Sequence, residues 1–129
     1  MLMLDTSVLV ALREGEERVL EQAAHCSTLP LVSIISAIEL ENGVPFAPEG
    51  EEVRRLALDE LLQSLRIVSF EQDDVAAYRE ITTALGFSRQ KTFDRMIAAQ
   101  AIVAQATLVT LNVRDFRNIP GLLVEDWSA

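Results

Sequence analysis

Four short apolar runs, MLML at 1–4, LPLVSI at 29–34, RIVSF at 66–70 and TLVTL at 107–111, are separated by longer stretches whose apolar residues recur at helical spacing. No other feature of the sequence limits the fold as strongly. Strands divided by crossovers long enough to hold helices pair in parallel, and a parallel sheet needs helices on both faces. The expected class is therefore α/β. The turn NVRDFRNIPG and a last short strand at Leu122–Val124 bring the sheet to about five strands.

The helices follow from spacing and punctuation. One is expected from Thr6 toward Leu12 and another from Glu16 to about His25. SAIELENGV reads as a helix ending near Gly43, before a loop with Pro45 and Pro48, which stop helices. Val53, Leu56, Ala57, Leu61 and Leu65 mark a helix over 51–65. Val75, Tyr78, Ile81, Thr82 and Leu85 mark the next, closed by Gly86. After the loop FSRQK, a last helix runs from about Thr92 to Ala104. There is no internal repeat, low-complexity segment or linker, and 129 residues suit a single domain over 1–129.

Half the residues are hydrophobic, which argues against disorder, and only 5% are aromatic, so Leu, Val, Ile and Ala must fill the core. No stretch has the length and apolarity of a membrane span. The start MLMLDTS lacks a basic segment and meets Asp5 at once, unlike a signal peptide. The single Cys26 cannot form an internal disulfide, and with these features it points to the cytoplasm. A net charge of −9 argues against a general basic surface for gripping nucleic acid. It is compatible with an enzyme that gathers carboxylates around a divalent cation.

Ligands of parallel sheets bind outside the carboxyl ends of the strands. Asp5 ends strand one, Glu39 is expected in the first turn of the helix after strand two, and Asp94 in the first turn of the helix before strand four. Asn112 and Asp115 lie just past strand four. Each has an ordinary explanation. Asp5 suits a helix cap, and Ser36 to Glu39 fits a capping box. Asp94 suits the helix dipole, and Asn112 and Asp115 suit a turn. Taken together, carboxylates on one sheet edge repel unless something neutralises them. A hard divalent cation, Mg²⁺ or Mn²⁺, prefers such oxygen ligands and promotes phosphodiester cleavage.

These residues carry a resemblance. LDTSVLVAL at 4–12, SAIELENG at 36–43, FDRMIAAQA at 93–101 and LVTLNVRDFRNIPGL at 108–122 resemble, in order and spacing, the motifs of PIN domains, closest to the VapC-type toxins. The resemblance covers nearly the whole chain. It implies a three-layer α/β/α fold with strand order 3-2-1-4-5. It also implies endoribonuclease activity dependent on Mg²⁺ or Mn²⁺, a homodimer, and inhibition by a cognate antitoxin. Asp5, Glu39, Asp94 and Asp115 become the implied catalytic acids, with Asp5 and Asp94 as metal ligands. Thr6, Thr110 and Asn112 become supporting residues, and Phe116 and Pro120 structural ones. Leu111 stands where many members carry Arg, which removes one phosphate contact.

Arg89, Lys91 and Arg95 flank Asp94, and Arg114 and Arg117 flank Asp115. They read either as scattered solubilising charge or as a basic rim that holds RNA phosphates around an acidic centre. His25 lies far from every motif and reads as an ordinary residue. Other readings are a PIN nuclease of RNA processing or DNA cleavage, and a PIN module without catalysis. A receiver-type phosphoacceptor lacks its paired acids and Lys here. An antitoxin would present an Arg or Lys to the carboxylates. It would also bring an apolar helix to the groove between helices 16–25 and 51–65, with Leu20, Leu58 and Leu62 as expected uncovered contacts.

Overall fold

Side-chain alternation along three central strands divides the core into two layers. The computed structural model describes residues 1–128. Its strands β1 (Leu2–Leu4), β2 (Leu31–Ser33), β3 (Arg66–Val68), β4 (Thr107–Thr110) and β5 (Leu123–Asp126) form one parallel sheet. Their order is β3-β2-β1-β4-β5, as expected. Successive residues of a strand face opposite sides. Met3, Leu31 and Leu108 accordingly enter one hydrophobic cluster, and Leu4, Val32 and Val109 the other.

Helices α5 (Gln72–Leu85) and α6 (Thr92–Val103) cover the first cluster through Ile81, Ile97, Ala98 and Ala101. Helices α1 (Thr6–Arg13), α2 (Glu17–Ala24) and α4 (Glu51–Gln63) cover the second through Val8, Leu9, Val19 and Leu58. Helix α3 (Ile34–Gly43) contributes Ile35 to the first and Leu40 to the second. The result is the three-layer α/β/α sandwich that the sequence implied. Phe116 is buried in the first cluster, whereas Pro120 stays exposed in its turn. No helix among the described residues is long and apolar enough to cross a membrane.

One polar contact ties α6 to the sheet. Ser33 Oγ donates to Gln100 Oε1, and Gln100 Nε2 donates to the carbonyls of Val68 and Ser69 at 3.3 and 3.0 Å. Both side chains are buried, so each hydrogen bond replaces one otherwise lost to water. The helix that carries Asp94 is thereby fixed against the ends of β2 and β3.

Several local expectations are corrected. Ser33, not Ser36, caps α3, its Oγ accepting from the Ile35 amide at 2.9 Å. The helix therefore starts earlier, Glu39 lies beyond its first turn, and Ser36 is buried. In α5 a capping box between Glu71 and Asp74 draws Asp74 inward, so Asp74, Ala77 and Ile81 are buried while Val75 is exposed. Strand β5 runs to Asp126 because Thr110 pairs with Asp126, and the Trp127 amide then donates to the Thr110 carbonyl at 3.0 Å. Helix α4 carries two apolar stripes. Leu58, with Leu62 and Leu65, faces the core, whereas Val53 and Leu56 face outward. Leu58, expected to be uncovered, is 1% exposed, and Leu56 is 72% exposed. Spacing alone cannot say which of two stripes meets the sheet.

The two stripes separate in a stability experiment. Leu58→Ala should cost about 2–5 kcal/mol in urea denaturation. Leu56→Ala should stay within about 0.5 kcal/mol of the parent chain.

Candidate active site

Asp5 follows the last residue of β1 and extends its ladder, its amide donating to the Val109 carbonyl at 3.0 Å. Its carboxylate is caught from two elements. Oδ1 accepts from the Val8 amide at 3.1 Å and from Ser7 Oγ at 2.6 Å, while Oδ2 accepts from Thr110 Oγ1 at 2.5 Å. Asp5 thus caps α1 and also bridges β1 to β4. The donors are anchored in turn. Ser7 Oγ accepts from the Leu111 amide at 3.0 Å, and Thr110 Oγ1 accepts from the Asn112 amide at 2.9 Å. Burial pushes the Asp5 carboxyl above its ordinary range, against the opposing pull of these hydrogen bonds.

Glu39 reaches the same place from α3. Thr6 Oγ1 donates to its Oε1 at 2.7 Å and lies 2.9 Å from Ser36 Oγ. Burial raises the Glu39 carboxyl, the Thr6 bond opposes it, and the Asp5 charge raises it further. Asp94 sits in the first turn of α6, as expected. Its carboxyl is pushed up to about 7, first by burial and then by the charges of Asp115, Glu39 and Asp5. Lys91 pulls it the other way. These couplings bring the four acids into one electrostatic group at the carboxyl edge of β1 and β4. Asp115 itself is exposed, in the 3-10 turn Val113–Phe116 whose first amide partner is the Asn112 carbonyl.

The basic residues divide. Arg89 and Lys91 are exposed on the loop before α6. Arg114 and Arg117 are exposed beside Asn112 and Asp115, lining an open depression of about 340 Å³. Arg95 is a correction. It is 6% exposed, and its Nη1 donates to the Gly86 carbonyl at 2.6 Å. It lies on the inward side of α6, where it secures the preceding loop and does not face solvent. Leu111 packs against the second core cluster.

Ser7 and Ser36 are site residues that the sequence reading missed. A serine two positions after a capping Asp is close enough to reach its carboxylate, so Ser7 was detectable in DTS. Ser36 was hidden behind its misassigned cap.

The donor set decides what the site can hold. It offers carboxylate and hydroxyl oxygens without imidazole or thiolate. His25 and Cys26 line a separate cavity of about 490 Å³ beside Leu2, at the amino end of β1. Among the described residues no three acid, His or Cys side chains close into a ready-made ligand cage. The carboxylates interact instead through charge, and an oxygen-only set of that kind suits a hard divalent cation.

A stability profile tests this coupling. A carboxyl whose folded pKa is raised holds its proton more tightly folded than unfolded. The stability it contributes is full below the ordinary Asp value of 3.8 and is lost as pH rises toward about 7. In cation-free buffer the Tm of the parent chain should fall across that window relative to Asp94→Asn. Parallel Tm profiles of the two proteins would contradict the coupling.

The chain is similar to known proteins over nearly its whole length. The model of the PIN domain matches residues 2–122. The ribonuclease VapC2 of Rickettsia felis is 35% identical, with 98% of this chain and 97% of the relative covered. The tRNA(fMet)-specific endonuclease VapC of Salmonella typhimurium is 31% identical, with 97% and 96% covered. Among solved structures, VapBC2 from Rickettsia felis bound to a DNA fragment from its promoter superposes with a TM-score of 0.86 at 28% identity, covering 98% of both chains.

Proposed function

From the premise that this chain belongs to the PIN-domain family, we propose that it is an endoribonuclease, the toxin of a VapBC-type toxin–antitoxin pair. The single observation that carries the reading is the pair of carboxylates at one sheet edge, buried Asp5 held by Ser7, Val8 and Thr110 and half-buried Glu39 held by Thr6. It acts in the cytoplasm as a single-domain protein and as a homodimer.

Asp5 and Asp94 would hold a divalent cation, Mg²⁺ or Mn²⁺, with Glu39 and Asp115 completing the negative field. Bound there, the cation supplies Lewis acidity and charge neutralisation at a phosphodiester. The chain's own residues supply position. Ser7, Thr110 and the Val8 amide fix both oxygens of Asp5. Thr6 fixes Oε1 of Glu39 and leaves Oε2 placed to hold a proton at the site. Asn112 and Thr110 shape the turn that carries Asp115. Arg89, Lys91, Arg114 and Arg117 hold RNA phosphates around the acids, which gives a −9 chain a local grip on a polyanion.

The antitoxin covers the outward stripe of α4, Val53 and Leu56, together with Leu20 on α2. An Arg or Lys from it pairs with the carboxylates and blocks cation and substrate together.

The test is cleavage of RNA by the purified chain, with initiator tRNA as the first substrate because the Salmonella relative is named for it. Cleavage should require Mg²⁺ or Mn²⁺ and fall about 100-fold or more in Asp5→Asn and in Asp94→Asn. Full cleavage in excess chelator, or in both variants, would contradict the reading. Arg89→Glu with Lys91→Glu should weaken RNA binding and flatten its salt dependence. Binding with an unchanged salt slope would make those charges solubilising only. The co-purified product of the neighbouring small gene should suppress cleavage, and a complex that cleaves at the free rate would remove the antitoxin from the site.

A further inference from the structure

The loop between α5 and α6 and the first turn of α6 carry two aromatic side chains that stay exposed. Phe87 is 75% exposed and Phe93 is 43% exposed. The chain has only five Phe, one Tyr and one Trp; Phe116 and Trp127 are buried, and of the exposed aromatics Phe46, at 85%, stands apart after α3, so Phe87 and Phe93 are the exposed pair close together in sequence. These two stand on either side of the exposed cations Arg89 and Lys91, and Phe93 directly precedes Asp94.

The loop is held in place. Arg95 Nη1 donates to the Gly86 carbonyl at 2.6 Å, and Thr92 Oγ1 donates to the Ser88 carbonyl at 2.9 Å. The Thr92 and Arg95 amides donate to the Arg89 and Lys91 carbonyls at 3.4 and 2.9 Å. Gly86, with φ of +80°, makes the turn out of α5 that starts this arrangement. Arg95, buried without a carboxylate bonded to it among the described residues, thereby ties the backbone that bears Phe87 to the first turn of α6.

An exposed aromatic pair interleaved with cations matches the chemistry of an unpaired nucleic-acid strand. Bases offer π-faces for stacking and phosphates offer negative charge between them. A duplex hides its faces within its own stack. We propose that Phe87 and Phe93 are stacking platforms for unpaired bases of the RNA on either side of phosphates held by Arg89 and Lys91, and that they select single-stranded over paired substrate. The proposal rests on the ribonuclease reading and names the feature of RNA that this site recognises.

The experiment measures binding of the full chain in chelator, so that no cleavage occurs, to a short unpaired RNA carrying 2-aminopurine and to the same strand in a duplex. The parent chain should prefer the unpaired strand. Phe87→Ala and Phe93→Ala should each lose about tenfold in affinity for it, with little change on the duplex. Their salt slope should be unaltered, because the phosphate contacts remain. Phe87→Trp and Phe93→Trp should restore affinity, and the 2-aminopurine emission should change on binding to these and not to the alanine variants. Both positions are exposed, and unchanged thermal melts verify the fold. Alanine variants that bind the unpaired strand like the parent would overturn the stacking, even with cleavage of RNA intact. So would a fall in sedimenting mass of the RNA-free alanine variants, which would assign the pair to a protein contact. A parent chain that neither binds nor cleaves RNA would overturn this proposal and the ribonuclease reading together.

Discussion

Asp5 is held by donors from two separate parts of the chain, Ser7 and Val8 at the start of α1 and Thr110 at the end of β4. Those bonds keep a buried carboxylate in one orientation where β1, β4 and α1 meet. Without them, burial alone would favour a neutral acid turned elsewhere. Glu39 and Asp94 are then brought up from α3 and α6, and Asp115 from the turn after β4. Placing β1 between β2 and β4 puts α3, which follows β2, and the turn that follows β4 on either side of Asp5, while Asp94 comes from the start of α6, the helix that leads into β4. Burial first, and then the like charges of Asp115, Glu39 and Asp5, push the Asp94 carboxyl up to about 7.

A protein keeps such a repulsive cluster only where something positive offsets it during function. The chain's own cations do not neutralise it. Arg95, the basic residue next to Asp94, is turned away to the Gly86 carbonyl. Lys91 is near enough to lower the Asp94 carboxyl, yet it is outweighed. The remaining ion pairs, such as Arg54 with Glu49 and Arg55 with Glu41, lie on α4 and its approaches, where exposed pairs add little. The raised Asp94 carboxyl relieves the repulsion by keeping its proton below about pH 7, and a divalent cation or an Arg presented by an inhibitor would relieve it in the same way.

How much of this could be read in the sequence depended on whether a feature was local. The strands and their parallel pairing followed from apolar runs spaced by helices, because periodicity is a property of a segment by itself, whereas the strand order followed only from the resemblance to PIN domains. The grouping of Asp5, Glu39 and Asp94 was expected because the carboxyl edge of a parallel sheet is a fixed meeting place. What could not be read was orientation. Leu56 and Leu58 are both apolar residues of one helix, and only the sheet's position decides which is buried. Ser36 looked like a cap, until Ser33 proved to be better placed at the end of β2. Arg95 looked like a rim cation because its neighbour is Asp94, although adjacent helical residues point about 100° apart. The bond from Ser7 to Asp5 is local and was detectable, but its second contact, with the Leu111 amide, exists only once β4 is in place.

The central claim is that the raised Asp94 carboxyl and its neighbours are the cation's binding site. Calorimetric titration of Mn²⁺ into the chain, repeated in buffers of different protonation enthalpy, counts the protons released on binding. At pH 6, below the Asp94 value of about 7, binding should release close to one proton, and at pH 8 far fewer. Asp94→Asn should abolish the pH dependence of that release. Mn²⁺ binding with the same proton count at both pH values, or a pH-dependent release that survives in Asp94→Asn, would contradict the account.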